Sequence, residues 1–122
     1  MNVIASAVSL NVDDVAASSN FFVSHLGFHE SLTAAGLACL TRSDAAADII
    51  LHLRGGSGEP PAGVVVVFGV TGVAAEYERL RAEGAALGVP LCTEPWGERY
   101  FELTDPNGIV VRLTEWVPPS GG

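Results

Sequence analysis

Residues 98–103 read Glu-Arg-Tyr-Phe-Glu-Leu. In an extended strand successive side chains point to opposite faces. Apolar Phe101 and Leu103 therefore share one face, and Glu98, Tyr100 and Glu102 share the other. Two carboxylates beside a phenol can anchor a ligand through hydrogen bonds. They can equally pair with a cation, and Arg112, within Val111-Arg112-Leu113, is the side chain to pair with Glu102 across neighbouring strands. A carboxylate left unpaired there would have a raised pKa and could act as a base. Just upstream, Trp96 sits between Pro95 and Gly97, an irregular setting. Its broad ring could stack on a planar or cationic ligand, or pack over a sheet edge. His52 could hydrogen-bond a ligand or simply lie on a half-exposed strand. Ser9 and Asn11 are small and would leave room beside it.

The elements that must carry these residues follow from periodicity. Val8, Leu10 and Val12 alternate with Ala7, Ser9 and Asn11, so residues 3–12 read as a strand. Asp13 or Asp14 can cap a helix that runs to about Leu26, with Val15, Phe22 and Leu26 on one face and Ser18 and Ser19 polar between them. Gly27 is suited to end it. His25, in its last turn, complements the helix dipole, and His29 follows just past its end. Three strands are expected at 29–33, 37–42 and 48–54, followed by a Gly/Pro-rich linker at 55–63. A second series follows: a strand at 64–70, Thr71 as a helix cap, a helix at 73–85 with Val73, Tyr77 and Leu80 on one face and Gly84 closing it, and strands at 89–93, 99–103 and 109–115. Asp105-Pro106-Asn107-Gly108 is a tight turn by composition.

The second series repeats the first. Val70-Thr71-Gly72-Val73-Ala74-Ala75 echoes Val12-Asp13-Asp14-Val15-Ala16-Ala17, 58 residues earlier. Ile109-Val110-Val111-Arg112-Leu113 echoes Ile49-Ile50-Leu51-His52-Leu53, 60 residues earlier. The expected fold is α+β: one domain over 1–122, with module one at about 3–54 and module two at about 64–116, each βαβββ. Helices on one face of each sheet leave the other face to curl around a ligand.

Bulk composition narrows the function. A chain of 122 residues, 48% of them hydrophobic, is one domain with a real core. The net charge is −8, with arginines and no lysine, so the basic footprint of a nucleic-acid binder is missing. An acidic surface can steer a cationic ligand inward, and it also serves solubility. No membrane span and no signal peptide are expected, which points to the cytoplasm. Cys39 and Cys92 read as two reduced thiols on strands. There is neither a P-loop nor a Gly-x-Gly-x-x-Gly after a strand. Trp116 could cover a dimer edge or a core edge.

Leu10-Asn11-Val12-Asp13-Asp14-Val15, Phe21-Phe22 and Leu26-Gly27-Phe28 resemble the first module of the glyoxalase/bleomycin resistance/dioxygenase superfamily. Pro95-Trp96-Gly97, Asp105-Pro106-Asn107-Gly108 and Val111-Arg112-Leu113 resemble its second. The resemblance runs from about Val3 to Trp116 and implies paired βαβββ modules around a cupped site, often completed by a dimer. Its enzymes hold one divalent metal through side chains of the first and last strands. Carried over to this chain, those positions fall on Ala7, His52, Val65 and Arg112. Of these, only His52 is a metal donor, and a guanidinium beside it would repel a cation. A register shifted by one brings in Ser6, Val8, Val66, Val111 and Leu113, which form no metal site either.

Arginine at the last-strand position is similar to the bleomycin-resistance branch, whose members bind an antibiotic without metal in a groove shared by two subunits. Sequestration needs a concave, largely apolar surface with a few polar anchors. The resemblance thus implies a homodimeric binder of a small natural product, an antibiotic resistance protein without metal or cofactor. Trp96, Tyr100, Glu102, Arg112, His52, Ser9, Asn11 and Glu98 are its expected ligand contacts. Two enzyme readings compete. One is a metal-dependent isomerase, thiol transferase or dioxygenase, with Glu98 or Glu102 joining His52 as ligands. The other is a metal-free enzyme that moves protons with His52, Tyr100 or Glu102.

Overall fold

The computed structural model describes residues 1–54 and 63–117. The linker expected at 55–63 lies outside them, apart from Gly63. The chain divides into two compact units, one comprising Met1–Gly63 with Pro106–Gly108 and the other Val64–Asp105 with Ile109–Gly122.

In the first unit β1 (Ala7–Val12), α1 (Val15–Leu26), β2 (His29–Ala34), β3 (Leu37–Thr41) and β4 (Asp48–Leu53) follow in order. The sheet order is β1-β4-β3-β2. Strand β1 runs parallel to β4, and the other pairs are antiparallel. The strand expected from Val3 begins only at Ala7, where its partner begins: Ala7 pairs with Asp48, and Val3 and Ile4 are exposed. Asp14, in extended backbone, caps α1 by accepting from the Ala17 N–H at 3.0 Å. Gly27, at φ +71°, ends the helix in the left-handed region that glycine adopts without strain. Phe22 lies edge-on to both Phe21 and Phe28 within a core that includes Leu10, Val12, Leu40, Ile49 and Leu51. Ser18 and Ser19, expected as a polar strip, are buried. Burial is tolerated because each is hydrogen-bonded: Ser19 donates to Glu30, and Ser18 accepts from Asn107 Nδ2 at 2.6 Å.

The second unit contains β5 (Val65–Gly69), α2 (Val73–Ala82), β6 (Leu87–Thr93), β7 (Glu98–Thr104) and β8 (Val110–Trp116), with sheet order β5-β8-β7-β6. Again the first and last strands run parallel. Thr71 does not cap α2. The cap position is Gly72, which has no hydroxyl or carboxylate of its own. The Glu115 carboxylate, from β8, instead accepts from the N–H groups of Gly72 and Val73 at 3.0 and 3.2 Å. Those two bonds hold its pKa below the usual carboxylate value. Helix α2 stops at Ala82, short of the expected 85, because Glu83 closes the last turn and Gly84 turns left-handed at φ +79°. Both modules are thus βαβββ and the fold is α+β, as the repeat predicts.

Candidate functional site

Strand β7 separates its side chains as alternation requires. Phe101 and Leu103 are fully buried on the helix side, Phe101 edge-on to Tyr77 of α2 at 5.1 Å. Glu98, Tyr100 and Glu102 take the open face. Antiparallel pairing with β8 sets Glu102 opposite Arg112, Tyr100 opposite Thr114 and Glu98 opposite Trp116, so all six side chains share that face.

Arg112 is the hub. Its Nε and Nη2 donate to Glu102 Oε2 at 2.9 and 2.7 Å, and its Nη1 donates to Glu98 Oε2 at 3.3 Å. The guanidinium carbon lies 4.1 Å from the Tyr100 ring centroid, within cation–π range. Hydrogen bonds and attraction to Glu102, with Glu98 adding to them, raise the Arg112 pKa further. Glu98 also accepts from the Thr114 hydroxyl at 3.2 Å and from Trp96 Nε1 at 3.3 Å. Those partners account for a carboxylate on a residue only 8% exposed. The Tyr100 hydroxyl donates to Glu94 Oε1 at 3.0 Å. Hydrogen bonding to Cys92 and then to Glu94 pushes its pKa up to about 12. The phenol therefore stays protonated at neutral pH and serves as a donor, which counts against Tyr100 as a general base.

Trp96 stands on the β6–β7 connection. Its ring edge is tied to Glu98, while the residue as a whole is 61% exposed. Gly97 makes this loop possible. It adopts φ +98°, and a Cβ there would meet the Val117 carbonyl oxygen at 2.6 Å. The Val117 N–H in turn donates to the Gly97 carbonyl at 2.7 Å.

The remaining expected contacts lie in the first unit. Asn11 pairs with His52 across β1 and β4, and Ser9 pairs with Ile50, so Ser9, Asn11 and His52 share the open face of the first sheet. The eight expected residues therefore form two groups, three in the first unit and five in the second. Four neighbours on this face have no site role in the sequence pattern. Thr114 and Trp116 could have been found from their parity with Arg112 along β8. Cys92 required the bulged register of β6, and Glu94 is a loop residue with no periodic signal.

The metal positions implied by the resemblance can be tested on this geometry. Pairing sets Asn11 opposite His52 and Val67 opposite Arg112, while Ala7 pairs with Asp48 and Val65 with Val110. Among the described residues no three His, Cys, Asp or Glu side chains converge as a metal site. At the last-strand position of the second module both nearby carboxylates already bind a guanidinium. This donor set does not fit the divalent metal of the related enzymes.

Residues 4–113 match the family model of the Glyoxalase/Bleomycin resistance protein/Dioxygenase superfamily. The chain belongs to this superfamily. Solved structures share its fold. A glyoxalase/bleomycin resistance protein/dioxygenase from Nocardioides is 23% identical with a TM-score of 0.78, covering 100% of this chain and 87% of that one. TnmS3, an antibiotic binding protein from Streptomyces sp. CB03234, is 21% identical with a TM-score of 0.78, covering 95% and 98%. TioX from Micromonospora sp. ML1 is 22% identical with a TM-score of 0.72, covering 94% and 100%. No curated protein matches the chain. Among the described residues no helix is long and apolar enough to cross a membrane.

Proposed function

We propose that this superfamily member binds and sequesters a small aromatic natural product, an antibiotic, without a metal and without turning it over. The observation that carries the reading is the engagement of Arg112. A guanidinium held by Glu98, Glu102 and the Tyr100 ring stands where the related enzymes have a metal-binding carboxylate. Beside it two exposed tryptophans, Trp96 and Trp116, offer flat apolar surface, and exposed aromatic surface on a soluble domain marks binding sites. The likeness to TnmS3, described as an antibiotic binding protein, adds to this support. In this reading the protein is one two-module domain acting as a cytoplasmic homodimer without nucleic-acid partners. Trp96, Tyr100, Glu98, Glu102 and Arg112 contact the ligand in the second unit, and Ser9, Asn11 and His52 do so in the first.

The test is titration of purified protein with a panel of aromatic antibiotics in the presence of EDTA. Tryptophan emission would report binding, and chromatography would report the fate of the ligand. Saturable binding at a fixed stoichiometry, with the antibiotic recovered intact, is the expected result. A ligand that binds or reacts only when Zn, Mn, Ni or Fe(II) is supplied would move the protein to the metal-dependent enzymes. Conversion that survives EDTA and is lost in His52→Ala or Glu102→Gln would make it a metal-free enzyme.

A further inference from the structure

We propose that the open face of the second sheet selects a flat organic cation, a protonated nitrogen on a fused aromatic system, over a flat anion of the same size. This rests on the reading of that face as a ligand site and names the class of molecule it takes.

The first argument is the direction of the hydrogen bonds. Among the described residues four side-chain donor groups surround the centre of the face, and each has a carboxylate partner. Arg112 donates to Glu102 and Glu98, Trp96 Nε1 to Glu98, the Thr114 hydroxyl to Glu98 and the Tyr100 hydroxyl to Glu94. A ligand therefore meets acceptors. Glu102 commits Oε2 to Arg112 and Glu94 commits Oε1 to Tyr100, which leaves Glu102 Oε1 and Glu94 Oε2 for a donor from outside. Among the described residues each of these donor groups already has a carboxylate partner, so an anion would have to compete with one.

The second argument is charge. Glu98 and Glu102 bind the one guanidinium and Glu94 accepts from Tyr100, so three carboxylates stand against one arginine and the cluster carries a formal charge of about −2. Arg99, between them in sequence, has the opposite parity on β7 and its charge acts on Glu115, which caps α2 on the helix side. The chain as a whole, this cluster included, has a net charge of −8, which raises the local concentration of cations.

The third argument is shape and stands apart from charge. Trp96 and Trp116 are 61% and 62% exposed, and Trp116 lies directly opposite Glu98 in the pairing. Trp96 is fixed by its ring edge, so its faces remain for stacking. The site already holds one flat cation in this manner, for the Arg112 guanidinium lies over the Tyr100 ring and between carboxylates. A planar organic cation would repeat that arrangement against Trp96.

The experiment compares proflavine, a planar acridine cation, with anthraquinone-2-sulfonate, a planar anion, on the full chain by calorimetry. The expected result is proflavine binding about tenfold tighter or more, with the gap narrowing as salt rises from about 20 to about 200 mM. Glu94→Gln keeps an acceptor for Tyr100 and removes one charge. It should weaken proflavine about 3- to 5-fold and leave the sulfonate no weaker. Trp96→Ala should weaken both. Circular dichroism confirms that each variant folds. Sulfonate binding as tight as proflavine, and lost in Trp96→Ala, overturns the charge preference while the site stands. Proflavine binding that ignores both substitutions places it elsewhere and overturns the inference. If neither probe binds, the inference falls. The antibiotic panel then separates the cases, since an antibiotic lost in Trp96→Ala keeps the site, and no binding at all removes the site as well.

Discussion

The open faces of the two sheets are built on the same topology and carry different side chains. In the first sheet the last strand presents His52 between Asn11 and Leu37. In the second the last strand presents Arg112 between Val67 and Glu102. Around His52 the face is made of Ser9, Asn11, Ile50, Leu37 and Cys39, small or neutral side chains, with the carboxylate of Asp48 at the strand start accepting from Thr41. Around Arg112, beyond Val67, stand Glu98, Glu102, Tyr100, Trp96 and Thr114, polar or aromatic side chains tied to one another by hydrogen bonds and the ring contact. The buried faces remain alike, apolar and packed on a helix. The repeat preserves what the core requires, while the open face is free to diverge, so the charged network is found in one copy.

The largest test of that difference removes the two equivalent residues. Arg112→Met strips the guanidinium from Glu98 and Glu102, whose side chains are only 10% and 15% exposed. Leaving carboxylates at that depth without a partner should cost about 2–4 kcal/mol in chemical denaturation. His52→Ala, at an exposed position, should stay within about 0.5 kcal/mol. Equal losses would mean that the Arg112 network contributes nothing beyond ordinary surface contacts and would remove the contrast between the sheets.

The same contrast explains what the sequence revealed. Alternation alone oriented β7, because Phe101 and Leu103 had to face α2, and this put Glu98, Tyr100 and Glu102 together. The pairing of Arg112 with Glu102 followed once β7 and β8 were neighbours. The repeat spacing located both helices and both last strands, while the register of the first strands had to come from pairing, which sets Asn11 beside His52 and Val67 beside Arg112. The first-strand partners of His52 and Arg112, Asn11 and Val67, are 56 residues apart, whereas the helix entries repeat at 58 and the last strands at 60. Contacts from irregular chain were illegible for a different reason. Glu94 reaches Tyr100 from a loop, and Glu115 caps a helix 43 residues away in sequence, so neither leaves a local pattern.

Gly97 supplies the next effect in size. The Cβ of Gly97→Ala would enter the Val117 carbonyl, and the backbone must leave φ +98° or bear the strain. A loss of about 1–3 kcal/mol is expected. In a Trp116→Phe background, Trp96 emission should also shift as its ring leaves Glu98. Unchanged emission would show that Gly97 serves the chain path and not the placement of Trp96.

The helix caps set a local solution against a distant one. Asp14→Ala should cost about 1 kcal/mol at neutral pH. Glu115→Gln should also destabilise, and its effect should carry a pH signature. The folded-state pKa of Glu115 lies below its unfolded value near 4.5, so the carboxylate stabilises the fold above that value. The contribution is lost as pH falls through the folded value. Thermal midpoints of parent and Glu115→Gln should therefore converge on acidification, and a gap that stays constant would assign the effect to packing.

The smallest effect concerns Tyr100 and asks whether the second face acts as one linked network. Tyr77→Phe keeps the ring against Phe101 and leaves Tyr100 as the remaining tyrosine of the chain. Absorbance titration near about 295 nm should then give a midpoint near 12, against an ordinary value of 10.0. Since folding raises this pKa, the neutral phenol's contribution to stability is complete below about 10 and is lost as pH rises toward 12. Cys92→Ala should lower the midpoint most and Glu94→Gln less, following the order of their hydrogen bonds to the phenol. Neither change touches Arg112 directly. If Arg112→Met also moves the Tyr100 midpoint, the guanidinium over the ring is electrostatically linked to the phenol. A midpoint that answers only to Cys92 and Glu94 would divide the face into an ion-pair half and a phenol half, each open to a ligand on its own terms.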